Sequence, residues 1–179
     1  MRLNRFVLLA GVAAAVIALD QVTKVVAFGL DGRTVLLGGV IELSRVENTG
    51  AAFGILRHVP GSAAILTVTT IATIVLLAVI FRPLIRTRLW GGPVALGLIY
   101  GGALGNLADR VGFGYVRDFI KLDLKLFQWP AFNLADVAIV VGIILLLFGL
   151  VSMPKHAHVP AAAAPERNAS TASEQQREE

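Results

Sequence analysis

Asp20, Asp109 and Asp136 each stand at or beside the end of a long apolar run, and Asp118 lies in the loop between the last two runs, with amides and bases placed around them. Asp20 and Lys24 are i and i+4, Asn106 and Arg110 are i and i+4, and Asn133 and Asp136 are i and i+3, so each pair shares a face if the segment is helical. Two carboxyls brought together and sharing one proton can hydrolyse a peptide: the ionised one draws a proton from water while the protonated one polarises the scissile carbonyl. Other hydrolytic chemistries are poorly supplied. The chain has no cysteine, hence no thiolate nucleophile and no cysteine-based zinc or iron–sulfur site. Its three histidines are His58, in a loop, and His156 and His158, in a polar tail, where neither a serine triad nor a histidine zinc site is expected. No metal or other cofactor is therefore expected. Spacing alone leaves open which two of the four aspartates meet.

The elements that must carry these residues follow from composition. A chain of 179 residues that is 56% hydrophobic and only 16% charged suits a bilayer better than water. Its net charge of +4 does not imply a nucleic-acid partner, because the bases lie between apolar runs and read as topology signals. A crossing helix needs about 20 apolar residues. Four segments meet that test: about 6–30, 62–81, 89–108 and 131–153. The first, preceded by Arg2 and Arg5, has the look of a leader peptide, but helical character is expected to continue past Asp20 to Phe28. The expected fold is thus mainly α, a polytopic membrane protein of four transmembrane helices with a small extracytoplasmic β element and loops. Residues 1–153 form the membrane domain, and 154–179, rich in Ala, Ser, Glu and Gln, form a disordered cytoplasmic tail. The β element is expected at Val40 to Val46 and at Ile120 to Leu126, with turns at Gly38-Gly39 and Gly112 to Gly114.

Orientation follows from the short loops. Arg2 and Arg5 precede the first span, Arg82, Arg86 and Arg88 join the second to the third, and Lys155 follows the fourth. These ends, and both termini, are expected in the cytoplasm. At 1.5 Å per residue, Asp20 then lies about 22 Å from Arg5, Asn106 about 26 Å from Leu89 and Asp136 about 27 Å from Pro154. Three helices deliver polar groups to one outer layer, beside loops bearing Asn48, Arg110 and Asp118. Gly101, Gly102 and Gly105 would let another helix or a substrate backbone approach closely there, whereas Thr67, Thr69, Thr70 and Thr73 of the second span are expected to bond their own helix.

Five segments resemble those of the lipoprotein signal peptidase (signal peptidase II) family. They are Asp20-Gln21-Val22-Thr23-Lys24, Asn48-Thr49-Gly50-Ala51-Ala52-Phe53, Gly101 to Arg110, Val116-Arg117-Asp118-Phe119 and Phe132-Asn133-Leu134-Ala135-Asp136. The resemblance implies an aspartic endopeptidase of the bacterial inner membrane. It implies Asp118 and Asp136 as the catalytic pair, substrate contacts by Asn48, Gly50, Asn106, Arg110 and Asn133, and support from Asp20, Lys24 and Asp109. The implied substrate is a prolipoprotein whose cysteine bears diacylglycerol, cut on the amino side of that cysteine. Substrate and membrane lipids are the expected partners, and a single chain suffices. Gly50 to Gly54 could close over the peptide. Arg117 departs from the family pattern, which usually has an apolar residue there; a strand would point it away from Asp118.

Structural readings compete at each position. Asp20 and Lys24 can be a helix ion pair, Arg110 an interfacial anchor, Asn106 and Asn133 helix-to-helix amides, and Asp118 and Asp136 a cap or surface charge. Asp109, Asp123, Lys121 and Lys125 read as solvated charges. Two other functions compete as well. A proton-coupled transporter would place its acids nearer the midplane and show an inverted repeat, and a noncatalytic assembly factor would leave the two late aspartate motifs unexplained.

Overall fold

The computed structural model of the chain describes residues 4–49, 61–86, 91–125 and 127–151. The first helix, α1 (Arg5–Gly29), is opened by Asn4, whose side chain accepts the Phe6 N–H at 3.1 Å. Two short strands follow, β1 (Thr34–Leu36) and β2 (Ile41–Asn48), joined by a 3-10 turn in which Gly38 and Gly39 take φ of +65° and +100°. Next come α2 (Ser62–Arg86) and α3 (Gly92–Phe113), then β3 (Val116–Asp123), β4 (Gln128–Phe132) and α4 (Leu134–Val151). The strands form one antiparallel sheet in the order β1-β2-β3-β4. The strand expected at Val40 to Val46 is β2, whereas that expected at Ile120 to Leu126 coincides with β3 only over Ile120–Asp123: β3 begins earlier, at Val116, and ends before Leu124. β1 is too short to show alternation, and β4 contains Pro130, which an edge strand tolerates because no further strand needs its missing N–H.

Among the described residues three helices, α1, α2 over Ala64–Phe81, and α4, are long and apolar enough to cross a membrane. α3 falls short of that test because glycines, Asn106, Asp109 and Arg110 dilute it. Those residues have a structural reason, for α3 is the interior helix: it packs on α1, α4 and α2, and Ala95, Leu96 and Ile99 form its core with Leu146 of α4. Its glycines set the packing distance. A Cβ on Gly101 would lie 2.7 Å from Val16 Cβ, one on Gly102 would strike the Ala135 carbonyl, and one on Gly142 of α4 would lie 2.7 Å from the Ala95 oxygen. The small residues thus bring helices, rather than a substrate backbone, into contact. α2 turns Val68, Val75, Leu76 and Val79 outward, each more than half exposed, as a lipid-facing surface requires. Thr69, Thr70 and Thr73 bond carbonyls of their own helix, as expected.

Several helix boundaries differ from the sequence reading: α2 runs beyond Phe81 to Arg86, and α3 begins at Gly92 rather than at 89. α3 continues beyond Ala108 to Phe113, ending where Gly114 (φ +79°) donates its N–H to the Arg110 oxygen at 3.0 Å. The extension is possible because the charge of Asp109 is buried and paired rather than solvated. The fourth helix begins at Leu134, since Ala131 and Phe132 belong to β4 and Asn133 caps the helix. Gly50 to Gly54, His58 and residues 154–179, named above, lie outside the described residues.

Candidate active site

The polar layer forms where the C-terminal ends of α1 and α3 and the N-terminal end of α4 meet the sheet. Asn133 is its centre. The residue is fully buried and saturates its amide: Nδ2 donates to Asp118 Oδ1 at 2.6 Å and to Asn106 Oδ1 at 3.0 Å, while Oδ1 accepts the Asp136 N–H at 3.1 Å. Asp136 returns the bond, its Oδ2 accepting the Asn133 N–H at 3.1 Å. This reciprocal pair is a capping box at the start of α4, in which the side chain three residues into the helix is held by the cap itself. Asn106 Nδ2 binds the other oxygen, Asp136 Oδ1, at 2.8 Å. Asp118, on β3, is held on both oxygens, by Asn133 and by Asn48 Nδ2 at 2.9 Å to Oδ2. The register makes that second contact possible: Asn48 pairs with Val116 and Val46 with Asp118, so Asn48 and Asp118 are diagonal neighbours on one sheet face. Two carboxyls from different elements are therefore fixed on one asparagine.

Burial pushes the Asp118 carboxyl up to about 6. The neighbouring Asp136 adds to the rise, and the Asn48 and Asn133 amides and Lys24 oppose it. A carboxyl so placed can retain a proton near neutral pH, which a two-carboxylate hydrolase needs from one member of its pair. The Arg110 guanidinium faces both Asp136 and Asp118 electrostatically and is hydrogen-bonded only weakly to the Asn106 carbonyl, at 3.5 Å.

Beneath this layer lies a second one. Lys24, fully buried, divides its three protons among Asp20 Oδ2 at 2.8 Å, Asn106 Oδ1 at 2.9 Å and Asp109 Oδ2 at 3.1 Å. The expectation that Asp109 is a solvated charge is corrected here: it is wholly buried, between Lys24 and Arg117. Arg117 points to the face of β3 opposite Asp118, as strand alternation requires, but it is buried rather than solvated. Its Nη2 lies 2.7 Å from Asp109 Oδ1 and 2.6 Å from Gln21 Oε1, and its guanidinium lies 4.5 Å from the Phe113 ring centroid. Gln21 was legible only as part of a motif, since both of its partners are distant in sequence. Asp123 and Lys125 are exposed and Lys121 partly so; Lys121 pairs with Glu42 at 3.4 Å. Gly50 lies outside the described residues.

Between β3, β4 and α4 a groove of about 280 Å³ opens, lined by Leu122, Trp129, Phe132, Val137, Val140 and Val141, with Asp136 at its polar point. No group of three or more His, Cys, Asp or Glu suited to a metal occurs among the described residues.

Apolar helices enclosing a buried polar layer, roofed by a small sheet, define a membrane protein with its polar cluster at one end of the bundle. Sequence comparison is more specific. Residues 12–152 match the model of the family described as signal peptidase (SPase) II. The lipoprotein signal peptidase of Syntrophotalea carbinolica is 39% identical over 82% of this chain and 92% of its own length. That of Moorella thermoacetica is 41% identical over 77% and 89%. A solved bacterial membrane enzyme, determined by the in meso method at 1.9 Å, superposes with a TM-score of 0.65 at 30% identity, covering 80% of this chain and 92% of that one. The chain belongs to the signal peptidase II family of peptidases.

Proposed function

We propose that the chain is an intramembrane aspartic endopeptidase that removes the signal peptide from diacylglyceryl-modified prolipoproteins, cutting on the amino side of the lipidated cysteine. The observation that carries the mechanism is the double engagement of Asn133, whose amide donates to Asp118 while capping the helix turn that bears Asp136. Asp118 and Asp136 share one proton. The ionised carboxyl takes a proton from water, whose oxygen adds to the scissile carbonyl carbon while the protonated carboxyl gives its proton to the carbonyl oxygen. Collapse of the resulting gem-diol breaks the C–N bond as the first carboxyl, now protonated, donates to the departing nitrogen and the second, now ionised, takes a hydroxyl proton from the diol, so that the pair ends with one proton between them. Asn106 and Asn133, expected from the sequence as substrate contacts, instead orient the pair, because their amides are taken up by Lys24, Asp118, Asp136 and each other. Asn48, Gly50 and Arg110 contact the substrate backbone, and Asp20, Lys24 and Asp109 support the site.

The chain crosses the bacterial inner membrane four times. α3 serves as the third span because its polar residues face the other helices rather than lipid. Both termini lie in the cytoplasm, by the bases flanking the spans, so the polar layer and sheet lie toward the outer face. Residues 1–153 constitute the peptidase unit and 154–179 a cytoplasmic tail, and one chain contains the whole site. The groove beside Asp136 suits this reading, since an acyl-bearing segment can reach the carboxyls from the lipid without leaving it.

Reconstitution of the full chain in phospholipid vesicles with a synthetic precursor tests the substrate. Mass spectrometry is expected to find the lipidated cysteine as the new N-terminus of the product, with a rate on the order of tenfold or more below it when the cysteine carries no lipid, because the lipid's binding energy no longer positions the peptide. Equal rates on the two precursors would remove the lipid from the proposal.

A further inference from the structure

The two buried acids under the site hold the main chain in matching ways. Asp109 Oδ2 accepts the N–H of Arg117, the residue immediately before Asp118, at 2.9 Å. Asp20 Oδ1 accepts the N–H of Ala135, the residue immediately before Asp136, at 3.0 Å. Lys24 lies between the acids, 2.8 Å from Asp20 and 3.1 Å from Asp109. One cation thus ties together two anions, each gripping the backbone beside one candidate catalytic carboxyl.

From this, and resting on the Asp118–Asp136 reading, we infer that Arg117 is a positioning residue: with Asp109 it locks the β3 backbone beside Asp118, completing a buried frame that sets the separation of the two carboxyls from below. Arg117 Nε and Nη2 both reach Asp109 Oδ1, at 3.2 and 2.7 Å, so the side chain binds the same carboxylate that holds its own amide. Gln21 accepts from Nη2 at 2.6 Å and donates to Asp109 Oδ1 and to the Gly105 carbonyl, each at 3.2 Å, fixing the guanidinium to both α1 and α3. The two anions, Asp20 and Asp109, are balanced by two cations, Lys24 and Arg117. Arg117 itself points away from Asp118, so its effect on the reaction passes through backbone placement. Small displacements of reacting groups are costly, about 1 Å being enough for roughly a hundredfold loss.

The test uses the full chain with the lipidated precursor. Arg117→Gln, with rates counted per folded molecule by size exclusion, is expected to lower kcat roughly tenfold with KM within about twofold. Arg117→Lys, which restores the charge without the planar fork, should recover part of that loss. In combination with Asp109→Asn the losses should be less than multiplicative, because both substitutions release the same backbone segment. An unchanged kcat in Arg117→Gln, or multiplicative losses in the double variant, would overturn the inference. If Arg117→Gln does not fold, Gln21→Leu takes its place, with kcat expected about threefold lower at unchanged KM; an unchanged kcat there is equally decisive. Asp118→Asn, run in parallel, separates the two claims: activity surviving in it refutes the dyad itself, whereas its loss beside a fully active Arg117→Gln refutes only the frame.

Discussion

Asp118 binds its proton more tightly in the folded chain than in the unfolded one, and that has a consequence for stability as well as for chemistry. Its folded-state value of about 6 lies above the ordinary 3.8, so between those values the folded chain holds more protons and the fold loses stability as pH rises through that window. Asp118→Asn removes this loss. The variant is expected to be more stable than the parent by about 1–3 kcal/mol above pH 6, with the gap closing toward pH 4, as thermal unfolding in detergent at a series of pH values would read. A variant no more stable than the parent at pH 7.5 would contradict the burial argument. Asn133→Ala has the opposite sign. It strips the cap from α4 and leaves Asp118 without its shortest hydrogen bond, so destabilisation by about 2–4 kcal/mol and loss of turnover are expected together. At this scale much was legible in the sequence: Asp118, Asp136, Asn48, Asn106 and Asn133 all meet in the structure. Asp109 and Arg117 were not legible in the same way, because their burial depends on each other and on Lys24 and Gln21, which arrive from another helix.

The spacing between elements is set chiefly by α3. Gly102→Ala would drive a methyl into the Ala135 carbonyl, and Gly105→Ala would place one 2.7 Å from Asp20 Oδ2. Since the obstruction is backbone in the first case, α4 must move and carry Asp136 with it. Gly102→Ala is expected to cost more than about 2 kcal/mol and most of the activity. Gly11→Ala on α1, where a Cβ meets nothing within 4 Å, should be neutral or slightly stabilising. Equal melting temperatures for the two variants would refute the packing account. Hydropathy reads α1, α2 and α4 easily because their apolar residues face outward. α3 is harder to delimit: the features that suit it to the interior, glycine and buried polar residues, are those that dilute a hydropathy signal. β1 and β4 were missed for a related reason. Their stability comes from β2 and β3 across the sheet rather than from their own three and five residues.

At the scale of the whole molecule the fold gathers the polar ends of three helices, α1, α3 and α4, and two sheet positions, Asn48 and Asp118, into one layer, while apolar side chains of the helices face outward. The proposed orientation puts that layer at the outer face of the inner membrane. Because the chain contains no cysteine, a single introduced one reports sidedness cleanly. Leu37→Cys, at a position 74% exposed in the turn between β1 and β2, should react with a membrane-impermeant maleimide in intact spheroplasts, and Lys155→Cys only after lysis. The reverse pattern would invert the topology and put the site on the wrong side for a lipid-bearing precursor after export.

The most direct measurement of the central claim is the turnover of lipidated precursor by the parent, Asp118→Asn and Asp136→Asn, each shown to be folded. Loss of cleavage by on the order of a thousandfold or more in both variants is the expected result, since neither carboxyl can do the other's part. Substantial turnover in either one would contradict a reaction run by this pair.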